Sequence, residues 1–341
     1  MPTNLTKRRI FELDYIRAIS ALLIMLFHYT TQYDTSLGHL ESWPIAFPWG
    51  SRAVSTFFLL TGYLTVCHYS GSVLQFYYKR WIRIWPTYAV CIVITSVFMA
   101  ILMPERLRTV PEILLNLTTF HAYLGARAVD GVYWTLTIEV IFYFWIAFCM
   151  MPKKTERQLA LLYAWSLLAA VVNLCNALGF CPLPVTLSKI AFITEHVPCF
   201  IAGVAISLQN SKNAVSFRQL LPIYLFCLIA LCAGNTVGSI LWTVLWALLI
   251  WAVTAGKLRF ALKESNFLHK CLLFLAGISY PLYLLHQFIG FAIIRKLEQL
   301  GCLSQLWIFV PIAFSLLLAT ATHYWIELPI GKLLTKHTAK K

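Results

Sequence analysis

The chain reads as an all-α, polytopic integral membrane helical bundle of about ten transmembrane helices with both termini cytoplasmic, and three observations predict it. Its 341 residues are 60% hydrophobic and only 12% charged, which excludes both a disordered chain and an ordinary soluble domain. The apolar residues gather into runs of about 20, the length that crosses a hydrocarbon core of about 30 Å. Lys and Arg divide unequally between the intervening loops, as the positive-inside rule requires.

In chain order the runs are 14–33, 52–69, 81–102, 132–151, 158–178, 188–208, 219–233, 237–255, 271–293 and 303–325. The first is long enough to span and is not followed by Ala-x-Ala-like processing chemistry, so it reads as a retained helix rather than a cleaved signal. The second contains Thr61 and Gly62; the glycine permits close backbone approach and the threonine can bond across helices. The third opens with FYYKRWIRIWP from Phe76 to Pro86, where Arg80 and Arg83 share a face. The fourth, YWTLTIEVIFYF from Tyr133 to Phe144, runs back from outside and carries Glu139. The sixth holds adjacent Glu195 and His196, the seventh is the shortest, and the ninth contains SYPLYLLHQ with His286. Segments 34–51 and 103–131 are the longest loops, both outside. The second of them, with Pro104, Pro111 and Gly125, reads as a short helix that lies at the interface or folds back. One membrane domain is expected over 1–341, with short tails 1–13 and 327–341 and no appended soluble domain.

A cytoplasmic N-terminus places Lys7, Arg8, Arg9, Lys79, Arg80, Lys153, Lys154 and the C-terminal lysines inside. Arg52, Arg106, Arg108, Arg127, Lys189, Arg295 and Lys296 fall outside. The +14 formal charge then follows from cytoplasmic loops meeting anionic lipid. No nucleic-acid module is visible, so no nucleic-acid partner is expected. The ten cysteines lack the paired spacing of a zinc or redox motif and read as small apolar filler. Cys175 and Cys181 flank an outer loop and are a candidate pair.

Ionisable groups inside such runs cost several kcal/mol each and are usually functional. Here they are Arg17, His28, Arg83, Glu139, Glu195, His196 and His286. Arg17 and His28 lie eleven residues apart in one helix, about 1100° of rotation, so they share a face about 16 Å apart along the axis. That layout suits chemistry that begins on one side of a membrane and ends on the other. By helical rise, Glu139 lies at about the depth of His28, and a carboxylate beside an imidazole makes an orienter and a general base. Glu195, His196 and His286 join the same outer layer. No His-x-x-x-His spacing accompanies them, so no metal site is expected. Toward the cytoplasm, Lys79, Arg80, Arg83 and Arg17 form a basic mouth suited to phosphate. A proton-coupled transporter using the buried His/Glu layer is the competing reading, weakened by the lack of detectable repeats.

These motifs together resemble the membrane-bound acyltransferase-3 family, which O-acylates cell-envelope glycans, membrane lipids and related acceptors. The resemblance is carried by Arg17 with His28, Phe57-Phe58 with Thr61-Gly62, Arg80 to Pro86, Trp134-Thr135-Leu136 with Glu139, Ser279-Tyr280 with Tyr283-Leu284 and His286, and Tyr324 to Pro329. It implies that His28 is the essential histidine, Arg17 its partner, and Glu139 part of the active layer with Thr61, Trp134, Glu195, His196 and His286. Arg80, Arg83 and Lys79 would bind the acyl-coenzyme A donor from the cytoplasm. The implied reaction is O-acetylation in the inner membrane of a bacterium, from acetyl-CoA as co-substrate to a glycan or glycolipid such as lipopolysaccharide O-antigen or exopolysaccharide. No tightly bound cofactor is implied. An envelope-biosynthesis protein is a further candidate partner, because the chain carries no C-terminal hydrolase-like domain found in some relatives. Two departures stand out: Thr61 replaces a common serine, and Arg52-Ala53-Val54-Ser55 replaces a Gly-Val-Asp approach to the second helix, a change that bears on the acceptor.

Overall fold

A computed structural model describes residues 9–67, 69, 72–180, 191–211 and 214–338, with side chains to 334. The protein is all-helical, with no strand among the described residues. Each predicted apolar run is mainly helical where it is described, although the sixth is broken at 193–196 before its helix begins. Helix α1 (Phe11–Phe27) passes through a π-helical turn (His28–Gln32) into α2 (Tyr33–Leu37). Glu12 and Asp14 in its first turn complement the helix dipole, and Gly38, at φ +73°, ends the run. A 3₁₀ turn at Pro48–Arg52 leads into α3 (Ala53–Cys67). Capping boxes start α4 (Val73–Leu102, at Ser72 and Gln75), α5 (Val110–Asn116, at Thr109 and Glu112) and α9 (Phe217–Gly234, at Ser216 and Gln219). The others are α6 (Trp134–Met150), α7 (Thr155–Ala177), α8 (Val197–Gln209), α10 (Val237–Thr254), α11 (Phe267–Gln299), α12 (Phe309–Thr322) and α13 (Leu328–Thr338).

Seven helices among the described residues are long and apolar enough to cross a membrane. The other three apolar segments are shorter as uninterrupted α-helix: α1 has 17 residues, α3 has 15 and α8 has 13. At about 1.5 Å per residue, 13 residues rise only about 20 Å. The interruptions are local: the π turn begins at His28, the 3₁₀ turn precedes Ala53, and Pro198 sits in the first turn of α8. The expected tails are also partly helical, since α1 begins at Phe11 and α13 runs through 328–338. Cys175 lies near the end of α7, whereas its candidate partner Cys181 and the charge at Lys189 fall outside the described residues.

The membrane reading agrees with what the surface exposes. Leu241, Leu245 and Leu248 are exposed along one face of α10, an apolar stripe that water would penalise and lipid would not. Inside, α11 is the central post, contacting α1, α4 and α12. Helices α3 and α8 cross through reciprocal glycines. A Cβ on Gly62 would lie 2.0 Å from the Phe200 carbonyl oxygen, and one on Gly203 would lie 2.1 Å from that of Leu59. The close approach expected at Gly62 is therefore present. Likewise a Cβ on Gly290 of α11 would collide with the Tyr29 ring at 2.1 Å, which seats α1 directly against α11.

Segment 103–131 folds back, one of the two conformations its sequence suggested. The Trp85 indole donates to the Leu117 carbonyl (3.0 Å) and the Tyr88 hydroxyl to that of Asn116 (2.8 Å), although Trp85 lies roughly 25 Å down α4 from Leu102. Backbone at such depth must be satisfied by protein. Buried Asn116 does this, donating to the Glu112 and Arg127 carbonyls and accepting from Val129 N. Asp130, fully buried, then caps the entry to α6 by accepting from Val132 N (3.1 Å), and ties it to α11 by accepting from Phe288 N (3.0 Å).

Candidate active site

Two cavities lie back to back in the bundle. The first, about 120 Å³, is lined by Arg17 from α1, Thr61 from α3, Arg80 and Arg83 from α4, Glu139 from α6 and Tyr280 from α11. The second, about 540 Å³, is lined by His28, Arg52, Trp134, Glu195, His196 and Gln287, among others. Val54, Phe58 and Tyr283 line both, so these three side chains form the wall between them. Tyr283 is held there by a hydrogen bond from Thr135 Oγ1 at 3.0 Å.

The arginine cavity gathers residues that the sequence places on separate helices. Arg17 is steadied by Asp14 (3.3 Å), which also pairs with Arg9 (2.7 Å). The Arg80 guanidinium lies over the rings of Phe76 and Tyr143, at 5.4 and 5.1 Å from their centroids. The Tyr143 hydroxyl donates to Glu139. Among the described lining residues three guanidiniums thus meet one carboxylate, with Asp14 behind Arg17, an excess of positive charge suited to a phosphorylated ligand. Lys79 is exposed and does not line this cavity.

At the other end of α1, His28 meets His286 across 258 positions of sequence, Nδ1 to Nε2 at 2.8 Å. The tautomers follow from the partners. Nδ1 of His286 faces the carbonyl oxygens of Leu282 (3.0 Å) and Tyr283 (2.9 Å), which only accept, so that nitrogen carries the proton. His286 Nε2 is then the acceptor, and His28 Nδ1 donates to it. Nε2 of His28 keeps its lone pair, on a ring that lines the larger cavity. A second layer fixes the pair. The Tyr29 hydroxyl donates to the His286 carbonyl (2.9 Å) and bonds Ser315 Oγ (2.7 Å). The π turn begins at His28 itself, a placement common at functional sites.

Of the residues singled out by sequence, His28, Trp134, Glu195 and His196 come together around the larger cavity, and His286 stands behind His28, bonded to it. The Trp134 and His196 rings lie 5.2 Å apart. Arg17, Arg80, Arg83, Thr61 and Glu139 come together around the smaller one. The correction concerns Glu139, expected beside His28 as its orienter and found instead with the arginines. It lies five residues beyond Trp134, about 7.5 Å farther along α6 and turned by about 140°. Depth alone suggested the pairing, and azimuth breaks it. His286 holds the position expected of Glu139. Tyr29, Tyr283, Arg52 and Gln287 were not anticipated as site residues, although Tyr283, Gln287 and Arg52 lie in segments the sequence singled out.

A family model described as an acyltransferase domain matches residues 10–325, a span that takes in both cavities. No curated protein and no solved structure matches the chain.

Proposed function

We propose, because the chain belongs to the acyltransferase-3 family and is a multi-pass membrane acyltransferase, that it is an O-acetyltransferase of the bacterial inner membrane. Its donor would be cytoplasmic acetyl-CoA and its acceptor a hydroxyl of an envelope glycan or glycolipid. The observation that carries this reading is the pair of cavities sharing Val54, Phe58 and Tyr283, with arginines in one and the His28–His286 pair in the other. In this reading ten helices cross the membrane, both termini are cytoplasmic, and the arginine cavity opens toward the cytoplasm.

Arg17, Arg80 and Arg83 would hold the donor's phosphates, each guanidinium offering paired N–H donors to an oxyanion. The acyl end of the thioester reaches past Tyr283 toward His28. His28 Nε2 takes the proton from the acceptor hydroxyl as its oxygen attacks the thioester carbonyl. The carbon–sulfur bond then breaks, and the departing coenzyme A thiolate takes up the proton that His28 gives back, which restores the base. His286 keeps the His28 lone pair directed into the cavity. Glu139 balances part of the arginine charge and orders Tyr143 beside Arg80.

The test is turnover. Purified protein in lipid, given labelled acetyl-CoA and envelope glycan, should transfer label to the glycan, and mass spectrometry of glycans from a deletion strain should show the missing O-acetyl group. A protein that moves a solute and leaves the thioester intact would be a transporter instead.

A further inference from the structure

The His28 cavity contains a cation that the transfer chemistry leaves unused. Arg52 is partly buried and lines the cavity, yet its guanidinium has no hydrogen-bonding or ionic partner among the described residues. It lies against Gly238 in the first turn of the 18-residue helix α10: a Cβ there would be 2.6 Å from Nη2 and 2.8 Å from Cζ and Nη1. In that turn Thr236 accepts from Ser239 N and Ile240 N, which leaves the Val237 and Gly238 N–H groups without intrahelical acceptors at the positive end of the helix dipole. A cation set against a helix N-terminus is electrostatically unfavourable by itself. An anion held between them reverses the sign of the interaction. Glu195, the acid among the described lining residues, is engaged by another group.

A second, independent orphan lies in the wall of the same cavity. Gln287, next in the chain to His286, is only 6% exposed, and its Oε1 is buried without a partner. It sits over Gly131, where a Cβ would come within 2.5 Å of that oxygen. An unpaired buried acceptor is unfavourable, and a hydroxyl group of a ligand would satisfy it. Gln32, Ser51, Asn235 and Ser239 complete a polar lining.

We propose that the acceptor is a hydroxylated molecule carrying an anionic group, a phosphate or carboxylate, that Arg52 binds at the first turn of α10 while Gln287 accepts from a hydroxyl close to the one His28 deprotonates. The assignment of this ligand as the acceptor rests on the acyl-transfer reading, whereas the anion site itself does not. An acidic sugar fits; a neutral one leaves Arg52 unpaired.

Direct binding tests it without the donor. Full-length protein in nanodiscs of zwitterionic phosphatidylcholine is titrated with glucose, glucose 6-phosphate, glucuronate and inorganic phosphate, alongside Arg52→Gln, Arg52→Lys and Gln287→Met variants of matched thermal stability. At least one acidic sugar should bind about ten- to a hundredfold more tightly than glucose. Which acidic sugar does so distinguishes phosphate from carboxylate. The preference should vanish in Arg52→Gln, persist in part in Arg52→Lys, and remain in Gln287→Met, where all sugars weaken together. Equal binding of neutral and acidic sugars, a preference that survives Arg52→Gln, inorganic phosphate binding as tightly as the sugar phosphate, or no binding of any probe would overturn it. Labelled acetyl-CoA turnover on the same nanodiscs separates the two claims: absent turnover with an intact acidic preference removes the acyltransferase reading and leaves the anion site standing.

Discussion

Replacing His286 by Phe isolates what the histidine pair contributes. The ring remains between Tyr29 and Tyr283, but the acceptor that takes the His28 Nδ1 proton at 2.8 Å is gone. His28 then either leaves a buried donor unpaired, at about 1–3 kcal/mol, or turns away from the cavity. At 1.36 kcal/mol per tenfold, the correctly presented fraction, and with it kcat, falls by about 5- to 150-fold. Removing the base itself, in His28→Ala, removes about 10²- to 10⁴-fold. Because His286 acts through His28, the double variant should be no worse than His28→Ala alone. The assay is initial-rate release of coenzyme A in proteoliposomes, with donor affinity measured separately by equilibrium binding. Donor affinity should not move, since the arginines line the other cavity. A folded His286→Phe protein with wild-type kcat, or one whose loss appears only in donor affinity, would refute the argument.

The remaining predictions concern the other cavity and the frame. Arg80→Ala and Arg83→Ala should each weaken acyl-CoA binding by about ten- to a hundredfold, the worth of a charged hydrogen bond; unchanged affinity in calorimetry would reduce both to charges that obey the positive-inside rule. Gly62→Ala forces a methyl group onto the Phe200 carbonyl, so it should cost about 1–3 kcal/mol or more and lower the thermal unfolding midpoint of the detergent-solubilised protein. An unaltered midpoint would mean that α3 and α8 separate at little cost.

What the sequence made legible follows from where its signals lie. Long apolar runs are local, so most helices stand where hydropathy puts them, the sixth run excepted, where only 13 residues from Val197 form the helix. Arg17 and His28 share one helix, and their spacing placed them at opposite ends of one functional face. Gly62 beside Thr61 announced a tight crossing. The pairing of His28 with His286 is a tertiary fact between α1 and α11, and no spacing within either helix encodes it. Glu139 was misplaced because helical rise gives depth but not the direction in which a side chain points. Arg52 stood in a segment whose departure from the family pattern bears on the acceptor, but only the fold brings Gly238 beneath it. Segment 103–131 could lie flat or fold back until Asn116 was seen to satisfy the backbone of the returning chain.

The central claim is that His28 is the base, and His28→Ala in purified, lipid-reconstituted protein tests it most directly. Acetyl transfer from labelled acetyl-CoA to the envelope glycan is measured beside donor affinity and the thermal unfolding midpoint. Transfer should fall by about 10²- to 10⁴-fold, with donor affinity and midpoint both retained, because the arginine cavity is left intact. Undiminished transfer by the folded variant would contradict the mechanism.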